Sequence, residues 1–425
     1  MADLSKSYII QTKNFIKVVV CDKLGEGGQG AVYRVDYNGK PKALKWYSGK
    51  KFKNPDKFYT NLLNNIKKGK PTNAFLWPED ITEKEGMAFG YIMELRPAEY
   101  KDFSKFLIGK EAFASVTAMV NTALNIVAGF RALHLKGYSY QDLNDGNFFI
   151  NPKNGDVLIC DNDNVSEFGK KSGIAGKPRY MAPEIVAKGA DPSINTDKYS
   201  LAVVLFLLWV KSHPLEGKAG TPVCMDAKSE KRIYGEDPIF IWDPNDNSNR
   251  PVQGIHTGAI KIWPQLPPYL QEAFIKAFSK GALSDPMQRI IEQEWLRLFI
   301  RMRSEIFKCA CGEVYFADPV NINSCSVCKK QNSFSFCIKT QRYNLPVHQR
   351  TKLYTCHTEK DSDDFETITG EVIARGNDFE LKNVSGKNWM VTDGSNTTSV
   401  VPNTAFTLKK NQQVNFGSAA PAEIF

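Results

Sequence analysis

Between Leu201 and Val210 the chain runs ten residues without a polar side chain, and the helix this run belongs to, Thr196 to Val210, is apolar on nearly every face. A helix of that kind has to be enclosed on all sides. Ten residues is half of what a bilayer crossing needs, and no N-terminal stretch has the charged-then-apolar layout of a secretory signal. The run therefore predicts a buried core helix. Apolar residues make up 42% and charged residues 24% of the 425-residue chain, near the globular average, which excludes fibrous and wholly disordered classes. The length implies two to four domains. Nine unevenly placed cysteines do not form a disulfide framework. The expectation is a soluble, multidomain, cytoplasmic protein with no membrane association.

Ahead of the helical texture lies a β-rich stretch. Ile16–Val20, Ala31–Val35, Lys42–Tyr47 and Met87–Leu95 read as strands. Asp56–Lys68 has apolar residues at helical spacing and ends at Gly69. Phe113–Leu135 reads as a long helix. Residues 1–70 carry 15 Lys+Arg against 5 Asp+Glu. These lysines are spread over strands and a helix, so they read as a solvated face beside a phosphate-handling site, and a nucleic-acid partner is not expected. Asp243–Pro251 is the most loop-like stretch of the helical part.

The chemistry-bearing residues follow an order. Gly25, Gly27, Gly28 and Gly30 lie between the first two strands, where backbone N–H groups without a Cβ in the way approach phosphates. A strand rather than a helix follows, which argues against a dinucleotide fingerprint. Ala43-Leu44-Lys45 sits on the third strand. Tyr140-Gln141-Asp142-Leu143-Asn144-Asp145-Gly146-Asn147 comes next, then Asp161-Asn162-Asp163. A carboxylate to accept a hydroxyl proton, an amide oxygen and a second carboxylate for a divalent cation make a phosphoryl-transfer set. Gly176 to Glu184, containing Ala182-Pro183-Glu184, precedes Asp197-Lys198-Tyr199-Ser200.

On these five pieces the chain resembles the protein kinase superfamily over residues 1–305. The resemblance implies an α+β bilobal protein kinase fold with an N-lobe over 1–96 and a C-lobe over 97–305. It implies ATP and Mg2+ as cofactors and protein substrates phosphorylated on Ser or Thr. Gly25, Gly27 and Gly30 would cover the phosphates and Lys45 would hold two of them. Val32, Ala43 and Phe149 would enclose the adenine, Glu94 to Arg96 would be the hinge and Met93 the gatekeeper. Asp142 would be the base, with Asn147 and Asp161 on magnesium, and Glu184 would pair with Arg289.

The departures from the family pattern bear on activity. No glutamate occurs between Lys45 and Trp77, so the usual helix partner of Lys45 is missing, and Asn61 near that place carries no charge. Gln141 replaces an arginine, which predicts a weak response to activation-loop phosphorylation. Asn144 replaces a lysine that would steady the γ-phosphate, Asn162-Asp163 replaces Phe-Gly, and Lys177 replaces a threonine. Two rivals to an active protein kinase stay open. One is a nucleotide-binding pseudokinase scaffold, the other a kinase-fold enzyme with a non-protein acceptor. Ser166 and Ser172 fall in the activation segment.

Cys309, Cys311, Cys325 and Cys328 form two pairs with a hairpin-sized spacer, which suits a closed tetrahedral structural Zn2+ in a zinc ribbon over 306–335. Cys21, Cys160, Cys224, Cys337 and Cys356 read as core or surface residues. Residues 336–425 read as an all-β sandwich. Around Leu381, Asn383, Ser385 and Trp389, and again at Val414, Phe416 and Gly417, it looks like the second half of a forkhead-associated domain, without that family's phosphothreonine-holding pieces. The combination resembles bacterial Ser/Thr kinases of the tellurite-resistance-associated phosphorylation triad. That resemblance implies a PP2C-type phosphatase and a von Willebrand A-type protein as partners.

Overall fold

The structure is a computed structural model that describes residues 4–28, 30–48, 54–167, 176–220, 226–318, 324–325, 327–331, 334–376, 378–417 and 421–425. The chain divides into two compact units, residues 1–114 with 125–292 and residues 115–124 with 293–425.

The first unit opens with strands β1 (Ile9–Gln11), β2 (Lys17–Glu26), β3 (Ala31–Tyr37) and β4 (Lys40–Tyr47), helix α1 (Pro55–Lys68), and strands β5 (Asp80–Ile81) and β6 (Phe89–Glu94). The strands form one antiparallel sheet in the order β1-β2-β3-β4-β6-β5. Period-two alternation sorts β4 onto two faces. Leu44 and Trp46 join Val18, Val20, Tyr33 and Ile92 on one side. Ala43 and Tyr47 join Tyr91, Met93 and the α1 residues Phe58, Tyr59 and Leu62 on the other. Lys45 falls between Ala43 and Tyr47 on that second face. Helix α1 starts where the Asn54 side chain accepts from the Lys57 N–H at 2.9 Å, with Pro55 at its first position, and ends at Gly69, whose φ is 78°.

In the rest of this unit, hairpin Phe148–Ile150 with Val157–Ile159 carries the loops of the candidate site. Helix Ile194–Val210 encloses the ten-residue apolar run, and every residue from Leu201 to Val210 is buried. The ring of Phe206 meets Phe240, Trp263, Phe274 and Phe278 at centroid distances of 5.0–6.1 Å. Its first turn is closed by Ser193 and Thr196 capping each other's backbone N–H groups. The long helix begins at Val116 rather than Phe113, because Ala114 is still tied through its N–H to the Pro152 carbonyl at 2.9 Å. Val116–Leu135 has the length and apolarity of a membrane span, with 56% of its most apolar window buried in the protein. Residues 243–251 are irregular, as their composition predicts.

The second unit contains an antiparallel hairpin, Ile306–Lys308 with Val314–Phe316, followed by a six-stranded and a four-stranded antiparallel sheet. Trp389, fully buried on the larger sheet, lies against Gly370 of the smaller one, where a Cβ would stand 3.0 Å from its ring. The two inner faces thus pack as a sandwich, with Phe416 edge-on to Trp389 at 4.9 Å.

Candidate active site

The glycine-rich segment is the turn between β2 and β3. Gly25 pairs with Val32 and Glu26 with Ala31, and the Gly27 N–H donates to the Gly30 carbonyl at 2.8 Å. Glycine is required at Gly30, because a Cβ there would run into the Trp46 carbonyl and the Tyr47 ring. Opposite, Val32, Leu95, Phe149 and Leu158 pack against the cluster that holds Ala43, Met93 and Cys160. The three residues expected beside the adenine thus share one cluster, to which the buried Met93 also belongs. The Glu94 carboxylate accepts from Lys42, whose amine holds it below the usual carboxylate range. The Arg96 guanidinium lies 4.0 Å over the Phe149 ring.

The catalytic-loop candidate is held by its backbone. Gln141 has a left-handed φ of 68°, a conformation that costs of order 1–3 kcal/mol. Asp197 pins it by accepting from the Tyr140 N–H at 2.6 Å and the Gln141 N–H at 3.3 Å. His134 bridges Asp197 (3.1 Å) and Glu292 (2.7 Å). Burial opposes its charge, yet bonds to these two carboxylates raise it to about 9. Asp142 follows. Burial first, and then the charge of Asp161, push its carboxyl up to about 6, while Lys177 and Asn144 pull the other way.

Asn144 is a junction. Its amide nitrogen donates to the Asp142 carbonyl at 3.1 Å, and its Oδ1 accepts from the Gly146 N–H at 3.0 Å and from Lys177 Nζ at 3.1 Å. The amine missing from position 144 is thus supplied beside it by Lys177. Gly176 lies so close to Asp142 that a Cβ would be 3.3 Å from its Oδ1. Asn147 Oδ1 accepts from the Asn144 N–H at 2.7 Å and keeps a second lone pair. The Cys160 N–H donates to the Asn147 carbonyl at 2.8 Å, which stitches the loop carrying Asn147 to the one carrying Asp161. An amide oxygen and a carboxylate are hard oxygen donors of the kind magnesium takes.

The main difference from expectation is that Lys45, without a partner on the helix, has carboxylate partners from elsewhere. Lys45 Nζ contacts Asp161 Oδ1 at 3.1 Å and both oxygens of Asp163 at 3.0 and 3.1 Å. Asp163 is 0% exposed and also accepts from the Tyr47 hydroxyl at 2.5 Å. The vacancy on α1 is therefore filled from the loop that carries Asp161 and Asp163. Asn162, expected to interrupt an apolar spine, is buried with its amide nitrogen on the Leu76 and Ile159 carbonyls at 2.8 and 2.9 Å. Asn61 and Asn65 of α1 both donate to the Val165 carbonyl, at 2.9 and 3.0 Å. The sequence signal was present as an extra aspartate two residues past Asp161 in a chain whose helix lacks a glutamate.

Away from the cleft, Arg289 meets Glu184 bidentately at 2.9 and 2.7 Å. Ser166 is buried on a strand paired with Ser139, which removes it from the surface where modification occurs. Ser172 and Cys224 lie outside the described residues. Cys21 is half-buried, and Cys160, Cys337 and Cys356 are buried. In the second unit the thiols of Cys309, Cys311, Cys325 and Cys328 all lie within 4.8 Å of one another. Cys309–Cys328 and Cys311–Cys325 are each 3.6 Å apart. A tetrahedral zinc with Zn–S bonds of about 2.3 Å has sulfur–sulfur edges of about 3.8 Å, so the four thiols fit that ion.

Residues 18–293 match the sequence model of the protein kinase domain. Among similar proteins, the serine/threonine-protein kinase RUNKEL of Arabidopsis thaliana is 24% identical over 206 residues, 47% of this chain and 12% of that protein. The probable serine/threonine-protein kinase CCRP1 of Zea mays is 32% identical over 36% of this chain and 24% of its own length. The probable serine/threonine-protein kinase kinX of Dictyostelium discoideum is 28% identical over 54% of this chain and 22% of its own. The matched stretches thus span between about an eighth and a quarter of these relatives.

Proposed function

The chain belongs to the protein kinase domain family, and we propose that it is an atypical Ser/Thr kinase transferring the γ-phosphate of ATP to protein hydroxyls, its own included. One observation carries the reading. Lys45 and Asp161, 116 residues apart in sequence, meet at 3.1 Å in a cleft whose neighbouring loop holds Asp142, its carboxyl pushed up to about 6 by burial and then by the charge of Asp161. A base poised close to the working pH accepts a proton in the transition state most effectively.

In this reading Asp142 orients the acceptor hydroxyl and takes its proton. Lys45 neutralises the α and β phosphates, under the backbone N–H groups of Gly25, Gly27 and Gly30. Val32, Ala43 and Phe149 enclose the adenine, with Glu94 and Arg96 at its edge. Asn147 and Asp161 would hold magnesium, which would supply charge balance for the phosphates. Lys177 stands for the absent catalytic-loop lysine and stabilises charge building up on the transferred group. The four-cysteine cluster takes a structural zinc in a ribbon over 306–335, and the sandwich over 336–425 docks a substrate or partner. The triad resemblance makes a PP2C-type phosphatase and a von Willebrand A-type protein the partners to test first, in the cytoplasm.

The test is intact mass after incubation with Mg-ATP, for the parent and for Asp142→Asn. Phosphate additions in the parent alone are expected, with native spectra carrying one zinc per chain. Binding of Mg-ATP without any addition in the parent would refute the transfer, and a zinc-free native mass would refute the ribbon.

A further inference from the structure

We propose that Asp163 is the positioning residue of Lys45, so that the ion pair that prepares this cleft for a nucleotide is assembled on the metal loop and not on helix α1. The inference rests on the kinase reading only for the name of the reaction. The geometry stands by itself.

Three observations converge. First, Asp163 commits both carboxylate oxygens inside the protein, to Lys45 Nζ at 3.0 and 3.1 Å and to the Tyr47 hydroxyl at 2.5 Å. Its side chain is 0% exposed, against 45% for Asp161. The two aspartates of the loop therefore divide the work. Asp161 keeps an outward-facing carboxylate for a cation, and Asp163 cannot serve a metal without giving up its partners. Second, an unpaired buried ammonium is costly, and α1 offers no carboxylate to Lys45, since its one acidic residue, Asp56, lies in the first turn and pairs with Lys84. Third, α1 is engaged elsewhere, with Asn61 and Asn65 both donating to the Val165 carbonyl. The helix holds the backbone that follows the metal loop, and the loop holds Lys45.

A consequence separates this arrangement from one built on the helix. Where the carboxylate rides on a mobile helix, moving the helix makes and breaks the pair. Here the pair joins strand β4 to a loop stitched into the large part of the same unit. Lys45 stays oriented whenever Asp161 is in place, so the same loop positions both the lysine and the metal ligand.

The experiment is a double-mutant cycle on the full chain, reading the Kd of Mg-ATP by calorimetry for the parent, Asp163→Asn, Lys45→Met and the double variant. Asparagine keeps the shape and removes the charge. The expected result is a weakening of tenfold or more in Asp163→Asn, and less than twofold further weakening when the same change is made in Lys45→Met, because the partner is already gone. A Kd within twofold of the parent in Asp163→Asn, or fully additive losses, would overturn the assignment. If Asp163→Asn does not fold, Tyr47→Phe takes its place in the cycle, with a smaller loss of about threefold and the same non-additivity expected. Phosphate transfer by the parent is scored separately. A non-additive cycle in a chain that transfers no phosphate sinks the kinase reading and leaves the positioning role standing.

Discussion

Arg289 in the helical part of the first unit and Lys45 in its cleft are both buried cations held by carboxylates, and the two pairs are built differently. Arg289 spends its planar fork in several directions at once: Nη1 and Nη2 donate to Glu184, Nη1 also to the Asn195 carbonyl, and Nε to the Ala282 carbonyl. Lys45 presents a compact ammonium to three carboxylate oxygens of two aspartates. The guanidinium demands fixed geometry and makes a brace. The ammonium is a point charge that accepts any carboxylate within reach and can exchange one for a phosphate. The brace is therefore tied to particular positions in the chain, whereas the anion of the cleft pair is free to come from another element.

That contrast can be broken by substitutions, taken from the largest expected effect downward. Arg289→Met removes the brace and leaves the half-buried Glu184 without its partner. It should cost about 3–5 kcal/mol of stability, read as a lower urea midpoint, while the folded fraction binds Mg-ATP as the parent does. An unchanged midpoint would show that the pair is ornamental and the comparison misplaced.

A pH series on stability comes next. His134 rises to about 9 between Asp197 and Glu292, from 6.5 unfolded. A raised histidine stabilises fully below its unfolded value and loses that contribution as pH climbs through the folded one. Up to about 3 kcal/mol should therefore disappear between pH 6.5 and 9, and His134→Gln should flatten the slope in that window. A slope that survives His134→Gln assigns it to other groups.

The smallest effect sharpens the idea that charges move between elements. Lys177→Met should lower kcat by about 10- to 100-fold, of order 1–3 kcal/mol, with the Kd of Mg-ATP unchanged. A kcat within twofold of the parent would show that the contact with Asn144 is incidental.

The two pairs also mark what was legible in the chain. β-branched content and turn signals located strands β2 to β4, with β2 running six residues past the reading to Glu26. Helical spacing located α1, and the unbroken apolar run located the enclosed helix. Lys45, Asp142, Asn147 and Asp161 were recognisable by residue type and order, as were Glu184 and Arg289. Asp163 and Lys177 were read only as substitutions. Lys177 brings an amine to Asn144 from 33 positions away, and Asp163 meets Lys45 from 118 residues away, where a helix carboxylate is missing. Compensation of that kind is defined by distance in space, which spacing along the chain does not encode. Ser166, placed by sequence only in the activation segment, is buried by a strand pairing with Ser139 that spacing does not reveal.

The loop Asp161-Asn162-Asp163 has a consequence for small molecules that compete for the cleft. Turning this loop over would draw a charged carboxylate away from Lys45 and Tyr47 and strip the Asn162 amide from two carbonyls, with no solvent nearby to replace them. Compounds whose affinity depends on prying such a loop out of its seat will find this protein a poor target. Flat aromatic compounds that seat against Val32, Ala43 and Phe149 and leave the loop undisturbed are the better starting chemistry.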